Sequence, residues 1–481
     1  MAMFSSNDAA DLRAMLKTYY KDNVPNLLGR ESPLLQAITT SYVEGKEVSY
    51  PAIYSAGGAV AADGTVAETL ANDGNFKASE WKVEPGQLFS VIKFNAKEVQ
   101  ASRTRRGAYM KLAGAKVFAQ TVRFRKALAA SLYGRGFGEL CVLGNAVSFV
   151  TTGNTISVPS HVIQAVQVGS SLVVKSSVAS GTEAVTLKVT GMSAANKTLD
   201  VVPSAAYSAS ATDVICFKGA MDGAGNPMFP AGLAGWIPTI DARTGAGWTS
   251  YIATPFNGIN RSAYVEALAG SFVDGSSKTS IAETIQELQV MLRNQGSKAD
   301  LIVMNPFDRL KFEKEIDAYN RIYTKADTKA ARSVSVGMKD ISVAFQTSIL
   351  DTVIDDPFLS EGLVYILDKD AIEYWCLSNL DTPKNNGLDE NQPGVEDPMK
   401  YDNDGKENDA YKLLVDDFLS IVPGGMGTDG ETTRVTLNCF STIGVMNTAV
   451  NGAALLPGAV AAPSLSGELV SMTAPGWLRT L

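Results

Sequence analysis

Between Arg103 and Arg135 the chain carries nine basic residues and no Asp or Glu, although the whole sequence has 50 acidic against 42 basic side chains. Arg103, Arg105, Arg106, Lys111, Lys116, Arg123, Arg125 and Lys126 interleave with Tyr109, Leu112, Val117, Phe118, Val122, Leu128 and Leu132. That interleaving fits helical spacing better than strand alternation. At 1.5 Å of rise per residue, one helix over this stretch would run roughly 50 Å, about the diameter of a domain. An exposed helix ordinarily mixes signs at i and i+4 to gain a few tenths of a kcal/mol per pair. The absence of acids therefore points to partners for these cations outside the helix.

Composition restricts the function classes. The chain has 481 residues, 45% hydrophobic and 19% charged, which is ordinary for a globular protein of two or three domains. No run approaches 18 apolar residues, and Met1 to Ser6 lacks a basic then apolar leader, so a soluble, unsecreted chain is expected. Cys141, Cys216, Cys376 and Cys439 are too far apart for a CxxC pair and read as buried thiols. His161 is the sole histidine. That disfavours histidine metal clusters and Ser-His-Asp or Cys-His catalysis, and its setting, Val158 to Ile163, reads as strand-like. Walker A, GxSxG and HExxH patterns are missing, so neither a cofactor nor an enzymatic activity is expected. Asp402-Asn403-Asp404-Gly405 covers only part of a calcium loop.

Along the chain, residues 1–46 read as an arm with a short amphipathic helix near Asn7 to Tyr20. Residues 47–97 read as a long hairpin: Val48 to Tyr54 and Leu88 to Phe94 flank a turn-rich middle with Gly57-Gly58, Asp63-Gly64 and Asp73-Gly74. The basic helix follows in 98–140 and ends at Gly134, Gly136 and Gly138. Residues 141–218, rich in Val, Ser, Thr, Ala and Gly, read as a small inserted all-β subdomain. Residues 219–375 hold an α/β core, with a helix from Ser280 to Asn294, a strand at Leu301 to Met304 and a second helix from Asn305-Pro306. In 376–431, eleven acids between Asn379 and Asp417 face four lysines, which suggests a surface loop or insertion. Residues 432–481 bring a late strand, Arg434 to Met446, and a tail rich in Ala, Gly, Pro and Leu. An arm and a tail of this composition fray unless neighbouring subunits pin them.

This order of parts resembles the major capsid (coat) protein of tailed bacteriophages, the Hong Kong 97-type fold. Arg106-Gly107-Ala108-Tyr109 through Leu132-Tyr133-Gly134 resembles its spine helix, and Gly232-Leu233-Ala234-Gly235-Trp236 its return to the main body. The helix at 280–294 followed by Ala299-Asp300-Leu301-Ile302-Val303-Met304-Asn305-Pro306 resembles its axial-domain unit. The likeness covers roughly 1–140 and 220–450. It implies an α+β fold with N-arm, E-loop hairpin, long spine helix, axial domain and the inserted all-β subdomain.

The resemblance further implies a structural, non-enzymatic chain that self-assembles as hexamers and pentamers into an icosahedral shell around double-stranded DNA. The expected place is the virion capsid, assembled in the host cytoplasm, with no membrane partner. The other partners it implies are a portal protein, a separate scaffolding protein, since Met1 leads directly into the arm, and a decoration protein. DNA contacts from the shell lumen would be weak, given the net charge of -8. The candidate intersubunit contacts are Arg103, Arg105, Arg106, Lys111, Arg123 and Arg125 on the helix with Lys77, Trp81 and Lys82 in the hairpin. The lysine to asparagine cross-link of some family members is not carried over, because no motif pairs Lys77 or Lys82 with Asn438. Two alternatives remain: an encapsulin-like nanocompartment shell, and a nucleic-acid binder using 103–135 as a basic ridge, for which Tyr109, Phe118, Phe124 and Tyr133 supply few stacking rings.

Overall fold

The computed structural model describes residues 32–43, 46–55, 60–71, 76–95, 112–176, 183–222, 226–237, 239, 256–298, 300–320, 343–345, 348–350, 352–377, 420–426 and 432–457. The expected helix at 7–20, Arg103, Arg105, Arg106, Lys111 and the acidic segment 379–417 with its Asp402 to Gly405 stretch lie outside these residues. The chain divides into a smaller unit, Met1–Glu31, Gln87–Ala127 and Ser378–Phe440, and a larger one, Ser32–Gly86, Leu128–Leu377 and Ser441–Leu481. Among the described residues no helix is long and apolar enough to cross a membrane.

The larger unit opens with α1 (Pro33–Ala37), which has proline in its first turn, and β1 (Thr39–Val43). β2 (Val48–Ser55), α2 (Gly64–Ala71) and β3 (Lys77–Val83) form a hairpin whose register runs from Val48 opposite Val83 to Ser55 opposite Lys77. The expected partner of 48–54 was the segment 88–94. That segment lies instead in β4 (Gly86–Asn95), which pairs with the late strand β21 described below. At the start of β4 a Cβ on Gly86 would stand 2.4 Å from the Phe229 backbone, so only glycine fits there. β3 itself was hidden by its polar content, because buried Trp81 and Val83 alternate with exposed Glu80 and Lys82.

The basic stretch is helical as α3 (Leu112–Ser131). Thr121, Phe124 and Leu128 are its buried stripe, continued by Leu132, at the spacing of one helix face. The Gly134 amide donates to the Ser131 carbonyl at 3.0 Å, and Gly136 takes a φ of +96° that ends the helical path.

An antiparallel sheet follows at once. It is built from β5 (Glu139–Val142), β6 (Val147–Phe149), β7 (Asn154–Ser157), α4 (Ser160–Ala165), β8 (Ser171–Lys175), β9 (Val185–Ser193), β10 (Thr198–Pro203), β11 (Tyr207–Ala209) and β12 (Val214–Phe217). Six strands lie in the order β5-β12-β8-β9-β10-β7, with β6 and β11 as a separate ribbon. Val162, Val166, Leu172, Leu187, Leu199 and Ile215 are fully buried in their shared core. First and last strands are neighbours: Cys216 stands opposite Glu139, and the Phe217 amide donates to the Gly138 carbonyl at 2.8 Å. His161 was expected in a strand and sits in α4. Pro159 at the N-cap holds an extended φ of -61° and accepts from the Val162 amide, which nucleates a short helical turn where propensity favoured a strand.

Next come α5 (Leu233–Trp236), α6 (Val265–Leu268), β13 (Ser271–Asp274), α7 (Ile281–Asn294), β14 (Leu301–Met304) and α8 (Pro306–Asn320). The Ser280 hydroxyl caps α7 by accepting from the Glu283 amide at 3.2 Å. After a small ribbon, β15 (Val343–Phe345) with β16 (Ser348–Leu350), come β17 (Thr352–Asp355), β18 (Leu363–Leu367), β19 (Ile372–Leu377), β20 (Ser420–Met426), β21 (Thr432–Val445) and β22 (Gly452–Leu455). A five-stranded mixed sheet, β13-β22-β18-β14-β17, is packed by Ile285, Leu288, Leu292 and Phe312 from α7 and α8. The segment after Val450, expected as tail, thus supplies an interior strand. Gly452 is small enough to lie under Leu288 and Leu292, whose methyls would meet an added Cβ at 2.7 and 3.2 Å. Also in the larger unit, β19 pairs parallel with β1 and antiparallel with the end of β21, from Ile372 opposite Val445 to Cys376 opposite Ser441. In the smaller unit, β20 pairs antiparallel with the first part of β21, and Phe89 of β4 meets Phe440 edge-on at 5.6 Å. All four cysteines are buried thiols, and burial pushes Cys141 up to about 12.

Candidate assembly surface

The hairpin has a fixed root and an apolar outer part. At the root, Trp81 is 2% exposed and packs edge-on to Trp236 at 5.1 Å and Phe256 at 6.4 Å. Trp236 donates from Nε1 to the Ile443 carbonyl at 2.8 Å. The Arg261 guanidinium lies 4.7 Å over the Phe256 ring and donates from Nη1 to the Gly235 carbonyl at 3.1 Å. Tyr50 donates to the Val445 carbonyl at 2.7 Å, and the Lys82 amide donates to the Asn257 carbonyl at 2.8 Å. Gly258 takes φ +87° and Asn257 φ +48°, the two positive values a tight two-residue turn needs to bring that carbonyl to β3.

Away from this clamp, Ile53, Val60, Val66, Leu70 and Phe76 are 62%, 101%, 49%, 47% and 62% exposed. Val66 and Leu70 stand one turn apart on α2. Single exposed apolar side chains are normal, but five of them between Ile53 and Phe76 make this stretch a candidate contact surface. The ion pairs nearby, Lys46 with Glu84 at 3.2 Å and Lys82 with Glu80 at 3.8 Å, are solvent-exposed and contribute little to holding the hairpin.

Of the nine candidate contact residues, Lys77 and Lys82 are exposed on the hairpin, Lys82 already beside Glu80. Trp81 is a correction: it was expected to reach a neighbour, and its indole is sealed in the core of its own chain by Trp236 and Phe256. Arg123 and Arg125 are half-buried on α3, and burial lowers the Arg123 pKa from its usual value. Burial likewise lowers that of Lys126.

Sequence reading missed the clamp residues Tyr50, Phe256 and Arg261, the clamping role of Trp236, and the exposed apolar set. The strict alternation of half-buried and exposed positions along Val48–Ile53 was the available signal for the hairpin's two faces. The motif Gly232 to Trp236 was singled out and has a definite place: the Leu233 amide donates to the Leu132 carbonyl at 2.7 Å, and a Cβ on Gly232 would stand 2.1 Å from that oxygen.

No family model matches the sequence, and no curated protein matches it. Solved structures do. A chain of the cyanophage A-1(L) capsid asymmetric unit superposes with a TM-score of 0.51 at 13% identity, over 92% of this chain and 98% of that one. The capsid of a native GTA particle gives 0.42 at 8% identity, over 95% and 100% of the two chains. The holo-SrpI encapsulin complex of Synechococcus elongatus PCC 7942 also gives 0.42 at 8%, over 95% and 96%. The fold assignment rests on the first of these. The chain has the mixed helix and strand fold of a phage capsid protein.

Proposed function

We propose that this chain is the major capsid protein of a tailed double-stranded DNA phage, with the Hong Kong 97-type division into N-arm, E-loop, spine helix and axial domain. The end-to-end fold likeness to the cyanophage capsid chain carries this reading. In it, the β2–β3 hairpin is the E-loop, α3 the spine, and the β13-β22-β18-β14-β17 sheet the axial core. The role is structural, without a catalytic site, and the place is the virion capsid.

The apolar outer part of the hairpin supports self-assembly, because Ile53, Val60 and Phe76 are costly to leave in water and a second copy would cover them. Lys77, Lys82, Arg123 and Arg125 then set register by pairing with acids of neighbouring copies, while apolar burial supplies most of the energy. Hexamers and pentamers, a portal protein, a separate scaffolding protein, a decoration protein and weak lumenal contacts to packaged DNA belong to the same proposal.

Electron microscopy of the protein expressed with and without its neighbouring genes tests it. Closed icosahedral shells or six-membered rings are the expected result. Monomers or dimers under every condition, above all ones that retard DNA in a gel, would overturn it. Shells filled with protein cargo rather than DNA would move the reading to a nanocompartment.

A further inference from the structure

A pocket in the larger unit lies where the end of α3, the β5–β12 insert and the α/β sheet meet. Tyr133, Arg135, Glu139, His161, Ser360 and Tyr365 are among its lining residues. The centre of a water-sized sphere can move through about 40 Å³ of it. On that measure one water molecule requires about 10–15 Å³, so the space suits about three.

Its lining is mixed: Ala130, Leu140, Phe358, Leu359 and Leu363 supply apolar wall, and Glu139 supplies a charged group of a kind that a dry, wholly apolar cavity would lack. Glu139 is the group that demands a ligand. Its Oε1 accepts from the Arg135 amide at 2.6 Å, whereas no donor among the described residues reaches the buried Oε2. A carboxylate oxygen shut away without a donor is among the costliest of buried groups, and the Arg135 charge together with the backbone amides of Glu139, Arg135 and Phe137, which favour the carboxylate, offsets only part of the burial that raises the Glu139 pKa. Protonation does not remove the demand, since the new O–H would in turn require an acceptor.

We propose that this pocket binds a cluster of about three ordered water molecules, one of them donating to Glu139 Oε2, so that the insert meets the rest of the larger unit across a wet joint. A water layer accommodates small shifts of the surfaces on either side more readily than interlocked side chains do.

Two measurements test the site. In an experimental density map of the full chain, at least one solvent peak within hydrogen-bond distance of Glu139 Oε2 and a second bonded to the first are expected. A dry pocket, or a carboxylate whose oxygens both meet protein donors, overturns the proposal. Ala130 lines the same pocket, and Ala130→Leu would displace the water. The expected effect is a fall in melting midpoint of about 2–5 °C that disappears in a Glu139→Leu background, because no carboxylate is then left to strip. An equal fall in both backgrounds would mean steric crowding alone, and a rise would mean a dry cavity had been filled; either result sinks the idea.

Discussion

The insert at 139–217 and the five-stranded sheet of the α/β core both bury a full set of aliphatic side chains, yet they are wired differently. Every strand of the insert comes from one stretch of chain, and its first and last strands are hydrogen-bonded neighbours. The α/β sheet is completed only by Gly452–Leu455, which pairs parallel with β13 on one side and antiparallel with β18 on the other. Damage to the first should stay local, while damage to the second should spread.

Deleting Gly452–Leu455 is the sharpest way to break this comparison. It separates β13 from β18 and uncovers Leu288 and Leu292, so soluble folded protein should be lost outright. Replacing Glu139–Phe217 with a short Gly-Ser linker should instead leave β13, β14, β17, β18 and β22 protected in hydrogen exchange. Retained folding after the first change, or collapse of the α/β sheet after the second, would refute the contrast.

Point substitutions refine it. Leu288→Ala and Leu199→Ala, both at fully buried positions, should each cost about 3 kcal/mol. Hydrogen exchange should show the Leu288 variant loosening all five strands of its sheet, and the Leu199 variant loosening only 139–217. Equal spread of the two effects would show that the insert is not a separate cooperative unit.

Acid should also act on the insert. Burial pushes His161 down from its ordinary value to about 4, against a bond to the Leu140 carbonyl and the Glu361 charge, both of which raise it. The neutral ring is therefore the folded form. Its contribution is complete above the unfolded value of about 6.5 and is lost as pH falls from there towards 4, to a total of about 3 kcal/mol. Asp356 opposes this trend, because burial raises its pKa and acid relieves the cost of its charge. A His161→Gln variant should flatten the acid slope of insert stability, and an unchanged slope would remove His161 from the account.

The smallest effect expected is at Lys197, whose Nζ lies 3.1 Å from Glu361 Oε1 in a partly exposed pair linking the insert to the α/β core. Lys197→Ala should cost about 1 kcal/mol or less at low salt, falling further as salt is added. The Lys197 φ of +51° makes Lys197→Gly a useful control, since glycine loses the same charge and relieves the backbone.

Legibility in the sequence followed the same division between local and distant causes. The helix at 281–294 was readable because Ser280, Glu283 and the Ile281, Ile285, Leu288, Leu292 stripe are all local signals. β22 was not, since Gly-Ala-Ala-Leu has little strand propensity and becomes a strand only because α7 covers it. The hairpin was half-readable: Val48–Ser55 shows its alternation, whereas β4 pairs with β21, a strand far along the chain that no local signal connects to it. At the assembly surface, the exposed lysines were evident from their type. Trp81 was misjudged because the rings that cover it, Trp236 and Phe256, stand far along the chain.

The position of β22 has a consequence for the order of events on the ribosome. The insert can close as soon as residue 217 has emerged, but the α/β sheet must wait until residue 455 has done so. A chain released early thus carries an open slot between β13 and β18 and no finished body to present to other copies. Synthesis through residue 455 is thereby written into the fold as a condition for a closed α/β sheet.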